Sequence, residues 1–269
     1  MQNMTDLVLF MGQSNMAGRG ATDALHPQPA PALCPGAGYE YRAVSAPGRL
    51  FPLQEPFGAT EDRPGGIDDQ QRKTGSLATS FANTWFTLTG VPVVGVSASK
   101  GGSRIEEWLP GSPYLTDAQD RLGSARNFLL HNGWHIRRCL VLWCQGESDG
   151  DAATPPPVYK QRFARMFRSL QQQGVEDCLL IRIGCYNGED AAVCYRPIRR
   201  AQEELCRERD HVHLVSTAFA GMKSRGLMKD AFHYYQQAYN EVGEEAAQKA
   251  VHALGLAAAR PKEGGPLWN

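Results

Sequence analysis

The sequence predicts an α/β fold: a three-layer α/β/α sandwich on a doubly wound, mostly parallel, five-stranded sheet. Three observations carry this. Apolar runs of strand length alternate with amphipathic stretches of helix length about five times along the chain. The strand-like runs are continuous rather than alternating, as strands covered on both faces are. Several of them end in turns rich in Gly and Ser.

Residues 7–11 (LVLFM) make the first strand, which runs into Gly12-Gln13-Ser14-Asn15, a strand-then-turn signal. Residues 76–88 carry Leu77, Phe81, Trp85 and Leu88 at spacings of four, four and three, one face of a helix. Residues 91–97 (VPVVGVS) are the second strand, and 117–131 a helix. Residues 136–144 (IRRCLVLWC) are the third strand, and 158–173 the next helix. The fourth strand is 178–183 (CLLIRI), followed by a helix over 193–208. The fifth is 212–217 (VHLVST). A closing helix over 235–254 puts Ala238, Val242, Ala246 and Leu254 on one face. Parallel sheets of this kind place their sites at the carboxyl ends of the strands.

The 269 residues suit one α/β domain over 1–269, with a Pro/Gly-rich insertion at about 26–75. A chain this long buries roughly 70–75% of its unfolded surface, so it needs no metal or disulfide to fold. The insertion holds eight prolines between Pro27 and Pro64. Its apolar run 39–44 and the pair Leu50 and Phe51 favour an ordered segment lying over the site rather than a linker. The tail 260–269 reads as frayed or as a surface strap.

Lys plus Arg number 28 and Asp plus Glu number 28. Zero net charge argues against a nucleic acid or an acidic membrane as partner. Seven cysteines without a CxxC pair suggest free thiols in a reducing compartment. The apolar run 7–11 is too short for a signal peptide or a membrane span, which points to the cytoplasm. His211 and His213 share one strand face, but no Asp, Glu or Cys cluster accompanies them, so no metal is expected. GVSASKGG is not a dinucleotide loop and no GxxxxGK[ST] occurs, so no nucleotide cofactor is expected.

Four segments carry chemistry: Gly12-Gln13-Ser14-Asn15-Met16, the stretch from Gly95 to Ser103, Trp143-Cys144-Gln145-Gly146-Glu147-Ser148-Asp149, and Asp230-Ala231-Phe232-His233. A serine hydroxyl is a weak nucleophile until a base takes its proton, and that base is usually a histidine oriented by a carboxylate. Ser14, in a tight turn after a buried strand, suits the nucleophile, and His233 the base. Asp230, three residues before His233, is within reach of its imidazole, although a helix N-cap is the plainer reading. Gly101 and Gly102 offer unobstructed N–H groups to an oxyanion, and Gln145 offers an amide. Gln13 and Asn15 flank Ser14 and, with Arg104 and Trp108, are the candidate substrate-binding residues. Trp108 suits the apolar face of a sugar as well as it suits the core. Glu147 and Arg104 also suit a buried structural ion pair.

These four blocks resemble those of the SGNH hydrolases, and more narrowly the sialate O-acetylesterase-like branch, carbohydrate esterase family six, with its acetylxylan esterases. GQSNM and WxQGESD together are specific, and the resemblance spans residues 7 to 234. It implies a flavodoxin-like α/β/α fold and metal-free hydrolysis of acetyl esters on carbohydrates, such as acetylated xylan-type oligosaccharides or O-acetyl sialic acid. It implies Ser14 as nucleophile and as an oxyanion donor through its N–H. Gly102 matches the second donor, with Gly101 as the alternative. Gln145 stands where the wider superfamily has asparagine. His233 matches the base. The wider superfamily makes Asp230 the acid, whereas the QGE element suggests that Glu147 shares or takes the role. Asp230 is expected as the main acid, with Glu147 in support beside the imidazole or Arg104. Two other readings stand beside this one: a lipid or acyl-thioester hydrolase on the same scaffold, and an inactive carbohydrate-binding protein.

Overall fold

The computed structural model describes residues 3–190 and 192–257. Ten-residue strand β1 (Asn3–Gly12) forms the centre of a sheet with order β3-β2-β4-β1-β5-β6-β7. The expected five are β1, β4 (Val93–Ser99), β5 (Trp134–Cys144), β6 (Asp177–Ile181) and β7 (Val212–Ser216), all parallel. Among the described residues the expected count of five is corrected to seven. Strands β2 (Gly38–Tyr41) and β3 (Leu50–Pro52) come from the insertion and extend the sheet beyond β4, with β3 antiparallel at the edge. Runs of four and three residues in a Pro/Gly background are too short to show a period. Pro52 is tolerated because an edge strand has one unpaired side.

The continuous apolar runs are explained by two cores, one on each face. Leu7, Leu9 and Met11 of β1 face one way, and Val8 and Phe10 the other. Strand β5 alternates likewise, with Val141 and Trp143 opposite Leu140 and Leu142. The first face is covered by helices α3 (Pro113–His131), α5 (Pro156–Gln172) and α6 (Arg196–Glu208). The second is covered by α2 (Ala78–Thr89) and α8 (Gln236–Ala253). Two short helices, α4 (Glu147–Asp151) and α7 (Phe219–Met222), follow β5 and β7.

Helix α2 buries Phe81 and Trp85 completely, each worth about 1.5–3 kcal/mol against exposure. Phe81→Ala is the change that would break this face, at about 3–5 kcal/mol. Gly90, left-handed at φ 68°, ends the helix. Helix α3 starts four residues earlier than the apolar pattern suggests. Ser112 caps it by accepting from Leu115 N at 3.3 Å, and Pro113 occupies the first turn. Helix α8 begins at Gln236, so Asp230 does not cap it.

Parallel register aligns the strand ends that matter. Gly12 lies opposite Ser99 of β4 on one side and Cys144 of β5 on the other. The turns after β1, β4 and β5 therefore meet where the crossovers diverge, the expected ligand crevice of a doubly wound sheet. No helix among the described residues is long and apolar enough to cross a membrane. The tail 260–269 lies outside the described residues.

Candidate active site

Gly12 ends β1 at φ 149°, and a Cβ there would run into the Cys144 carbonyl, so only glycine lets β1 and β5 close together. Gln13 N then donates to Cys144 O at 2.9 Å, and Ser14 opens the four-residue helix α1 (Ser14–Ala17). Ser14 Oγ stands 3.0 Å from His233 Nε2. On the far side of the ring, His233 Nδ1 is 2.9 Å from Asp230 Oδ2.

Both partners come from one loop, closed by a bridge between Met228 and Tyr234. Asp230 Oδ1 accepts from Phe232 N at 2.9 Å and His233 N at 2.7 Å, an Asx turn that fixes the loop tip. Asn15 then pins the loop to the serine turn. Its Nδ2 donates to the Phe232 carbonyl at 3.0 Å and to Glu147 Oε1 at 2.6 Å, and its Oδ1 accepts from Tyr239 OH at 2.7 Å.

Electrostatics suit a neutral base beside an ionised acid. Burial lowers the His233 pKa below its ordinary 6.5. Asp230 opposes this, while Arg19 and Lys229 add to it. For Asp230, burial alone would raise the pKa, but hydrogen bonds from Phe232 N and from His233 outweigh it and hold the carboxyl below its usual range. Burial pushes Glu147 up to about 7, against the opposing Asn15 bond. Its Oε2 is buried without a partner.

The turn after β4 supplies the glycines. The Gly101 N–H is taken by Asp69 Oδ1 at 2.7 Å. The N–H groups of Gly102 and Ser14 have no partner among the described residues, and both residues line the cleft. Gly102 sits at φ 72° with open space around its Cα.

Several expected site residues lie elsewhere. Gln145 is fully buried and does not line the cleft; its Nε2 donates to Ser103 O at 2.9 Å and Asp149 Oδ2 at 2.6 Å. With both amide hydrogens used, it has none for an oxyanion. Trp108 is also fully buried, edge-on to Trp143, with its Nε1 on Ser103 Oγ at 3.0 Å, so it is core and no sugar platform. Arg104 is half-exposed and pairs with Glu106, away from the cleft and from Glu147. Glu147 lines the cleft but is bonded to Asn15, and His233 Nδ1 is occupied by Asp230. Asn15 has no exposed surface for a substrate and braces the site from below. Gln13 does line the cleft, and its Oε1 accepts from Gly146 N at 3.1 Å.

The cleft has a volume of about 250 Å³. Sequence reasoning missed Arg19, Arg72, Ser148, Asp151 and Phe232 in its wall. Arg19 lies five residues after Ser14, a proximity that offered a signal. Arg72 comes from the insertion, which reaches the cleft wall there, whereas Gly38–Tyr41 and Leu50–Pro52, within or beside the runs expected to anchor it over the site, form strands at the sheet edge. Asp151 Oδ1 accepts from Tyr195 OH at 2.8 Å. No group of three or more His, Cys, Asp or Glu among the described residues is placed to hold a metal. His211 and His213 both lean on Asp177 Oδ1, at 3.1 and 2.9 Å.

The family model for carbohydrate esterases described as sialic acid-specific acetylesterases matches residues 4–252. A protein of Arabidopsis thaliana has a similar structure: TM-score 0.68, 23% identity, covering 96% of this chain and 100% of that one. NanS aligns with TM-score 0.62 at 16% identity, over 94% of this chain and 97% of its own. A carbohydrate acetylesterase from Xanthomonas citri aligns with TM-score 0.58 at 19% identity, over 93% of this chain and 56% of its own. At these identities the likeness is one of fold. Among curated proteins no sequence match is found. The family match covers nearly the whole described chain and includes all four chemical segments, so the chain belongs to the carbohydrate esterase, sialic acid-specific acetylesterase family, and it is a carboxylic ester hydrolase that removes acetyl groups from carbohydrates.

Proposed function

We propose that deacetylation runs through Ser14, His233 and Asp230, on a short, polar, O-acetylated sugar. The observation that carries this is the continuous relay from Ser14 Oγ to His233 Nε2 at 3.0 Å and from His233 Nδ1 to Asp230 at 2.9 Å. Ser14 Oγ attacks the acetyl carbonyl as its proton passes to His233 Nε2. The carbonyl oxygen, now an oxyanion, takes hydrogen bonds from the N–H groups of Ser14 and Gly102. Collapse breaks the ester C–O bond, and His233 returns the proton to the departing sugar oxygen. Water, deprotonated by His233, then attacks the acetyl-serine; collapse breaks the bond from the acetyl carbon to Ser14 Oγ, His233 returns the proton to Oγ, and acetate leaves. Asp230 stays ionised and stabilises the imidazolium in both halves.

The walls favour a polar alcohol over a lipid. Gln13, Arg19, Arg72 and Asp151 surround the serine with amide and charged groups. Turnover of p-nitrophenyl acetate against p-nitrophenyl octanoate, with acetate release from a panel of acetylated xylo-oligosaccharides and O-acetyl sialic acids, tests the reading. Acetate is expected to be preferred strongly, and faster turnover of octanoate would favour a lipid or thioester hydrolase instead.

A further inference from the structure

We infer that Asp69, supplied by the insertion and held by Arg19, is a positioning residue that fixes the oxyanion turn. The inference rests on the reading above, in which the Ser14 and Gly102 N–H groups bind the oxyanion.

Two consecutive glycines, Gly101 and Gly102, make this turn intrinsically loose. An oxyanion donor works only where its N–H already points at the developing charge, and a misplacement of about 1 Å costs on the order of 10²-fold in rate. Four hydrogen bonds hold the turn. Lys100 N donates to Gly12 O at 2.9 Å, and Lys100 Nζ donates to Gly101 O at 2.9 Å. The second of these grips the peptide whose other end is the Gly102 N–H. The third, from Ser103 Oγ to Lys100 O at 2.8 Å, closes the turn on itself. The fourth runs from Gly101 N to Asp69 Oδ1 at 2.7 Å and is the one that the insertion supplies.

Asp69 is built into place. It is 2% exposed, and its Oδ1 also accepts from Arg19 NH2 at 2.9 Å. Asp62 holds the Asp69 backbone, taking Asp69 N on Oδ1 at 2.9 Å and Gln71 N on Oδ2 at 2.7 Å. Gln70 and Gln71 adopt left-handed φ values of 55° and 56°, which non-glycine residues rarely keep unless their surroundings impose them. Gly101 is wedged so tightly that a Cβ would strike both Arg19 and Asp69. A bare carboxylate here would oppose the negative charge that develops on the acetyl oxygen, and Arg19 neutralises it. The Pro/Gly insertion thus completes a catalytic element that the sheet alone leaves loose.

The test is steady-state kinetics of the full chain on p-nitrophenyl acetate for Asp69→Ala, Asp69→Asn and Ser14→Ala. Asp69→Ala is expected to lower kcat roughly 10- to 100-fold with little change in KM. Asp69→Asn should recover most of that loss, because its amide oxygen still accepts from Gly101 N–H. A folded Asp69→Ala enzyme with wild-type kcat would overturn the inference, as would equal losses in the Ala and Asn variants. An active Ser14→Ala enzyme would instead bring down the underlying reading. Should Asp69→Ala fail to fold, amide exchange in the wild-type enzyme decides. A protected Gly101 amide supports the anchor, and one exchanging as fast as an open loop contradicts it.

Discussion

Asn15 Nδ2 stands 2.6 Å from Glu147 Oε1, so the buried glutamate is tied to the serine turn while Asp230 holds the imidazole. The two carboxylates therefore have different jobs. Asp230→Asn should cost up to roughly 10⁴ in kcat, because the charge that orients and stabilises the imidazolium is lost. Glu147→Gln keeps an oxygen for Asn15 and should cost no more than about tenfold. Kinetics of the two single variants check this, and the opposite ranking would make Glu147 the acid.

The pH profile of kcat/KM should have an acid limb centred below 6.5, because burial lowers the His233 pKa and the base acts only when neutral. Activity therefore rises with pH through that limb. A midpoint above 6.5 would mean that Asp230 outweighs burial.

Glu147 predicts a separate effect on stability. Its folded-state pKa is raised from 4.5 to about 7 by burial, so the folded protein binds more protons than the unfolded chain in that window. Its stabilising contribution is fully present below 4.5 and is lost as pH rises through about 7. Thermal unfolding of wild type and Glu147→Gln across pH 5 to 8 measures it. The variant should gain Tm relative to wild type as pH rises, and a constant difference would contradict the buried-acid account.

Gln145 should behave as a brace. Gln145→Ala leaves the Ser103 carbonyl short of a donor and opens a buried gap, a loss of about 1–3 kcal/mol from the hydrogen bonding alone. Tm should fall while kcat of the folded enzyme drops less than the roughly 10²–10³ expected on removing an oxyanion donor. A hundredfold loss of kcat at unchanged Tm would return Gln145 to the oxyanion hole.

The five long strands were legible because each puts apolar side chains on two faces, as Val141 and Leu142 do, and leaves a continuous run. The turn carrying Ser14 and the loop carrying Asp230 and His233 were legible because each is a local motif after or before a regular element. Gln145, Arg104 and Trp108 were not. Sequence places a residue at a strand end, but the direction of its side chain depends on partners such as Ser103, Glu106 and Trp143. Asp69 was hidden for another reason. Its partners, Arg19 and Gly101, lie 50 and 32 residues away and are joined only when the insertion folds over the sheet.

Ser14 is the proposed nucleophile, and the rate of acetate release by Ser14→Ala decides whether it is. Loss of this hydroxyl removes the group that forms the acetyl-enzyme, so kcat should fall by roughly 10⁴–10⁶. The fold should survive, because the one hydrogen bond of Ser14 Oγ among the described residues is to His233, and the neighbouring Asn15 network is untouched. A folded Ser14→Ala enzyme that keeps a tenth of the wild-type rate would rule Ser14 out as the nucleophile.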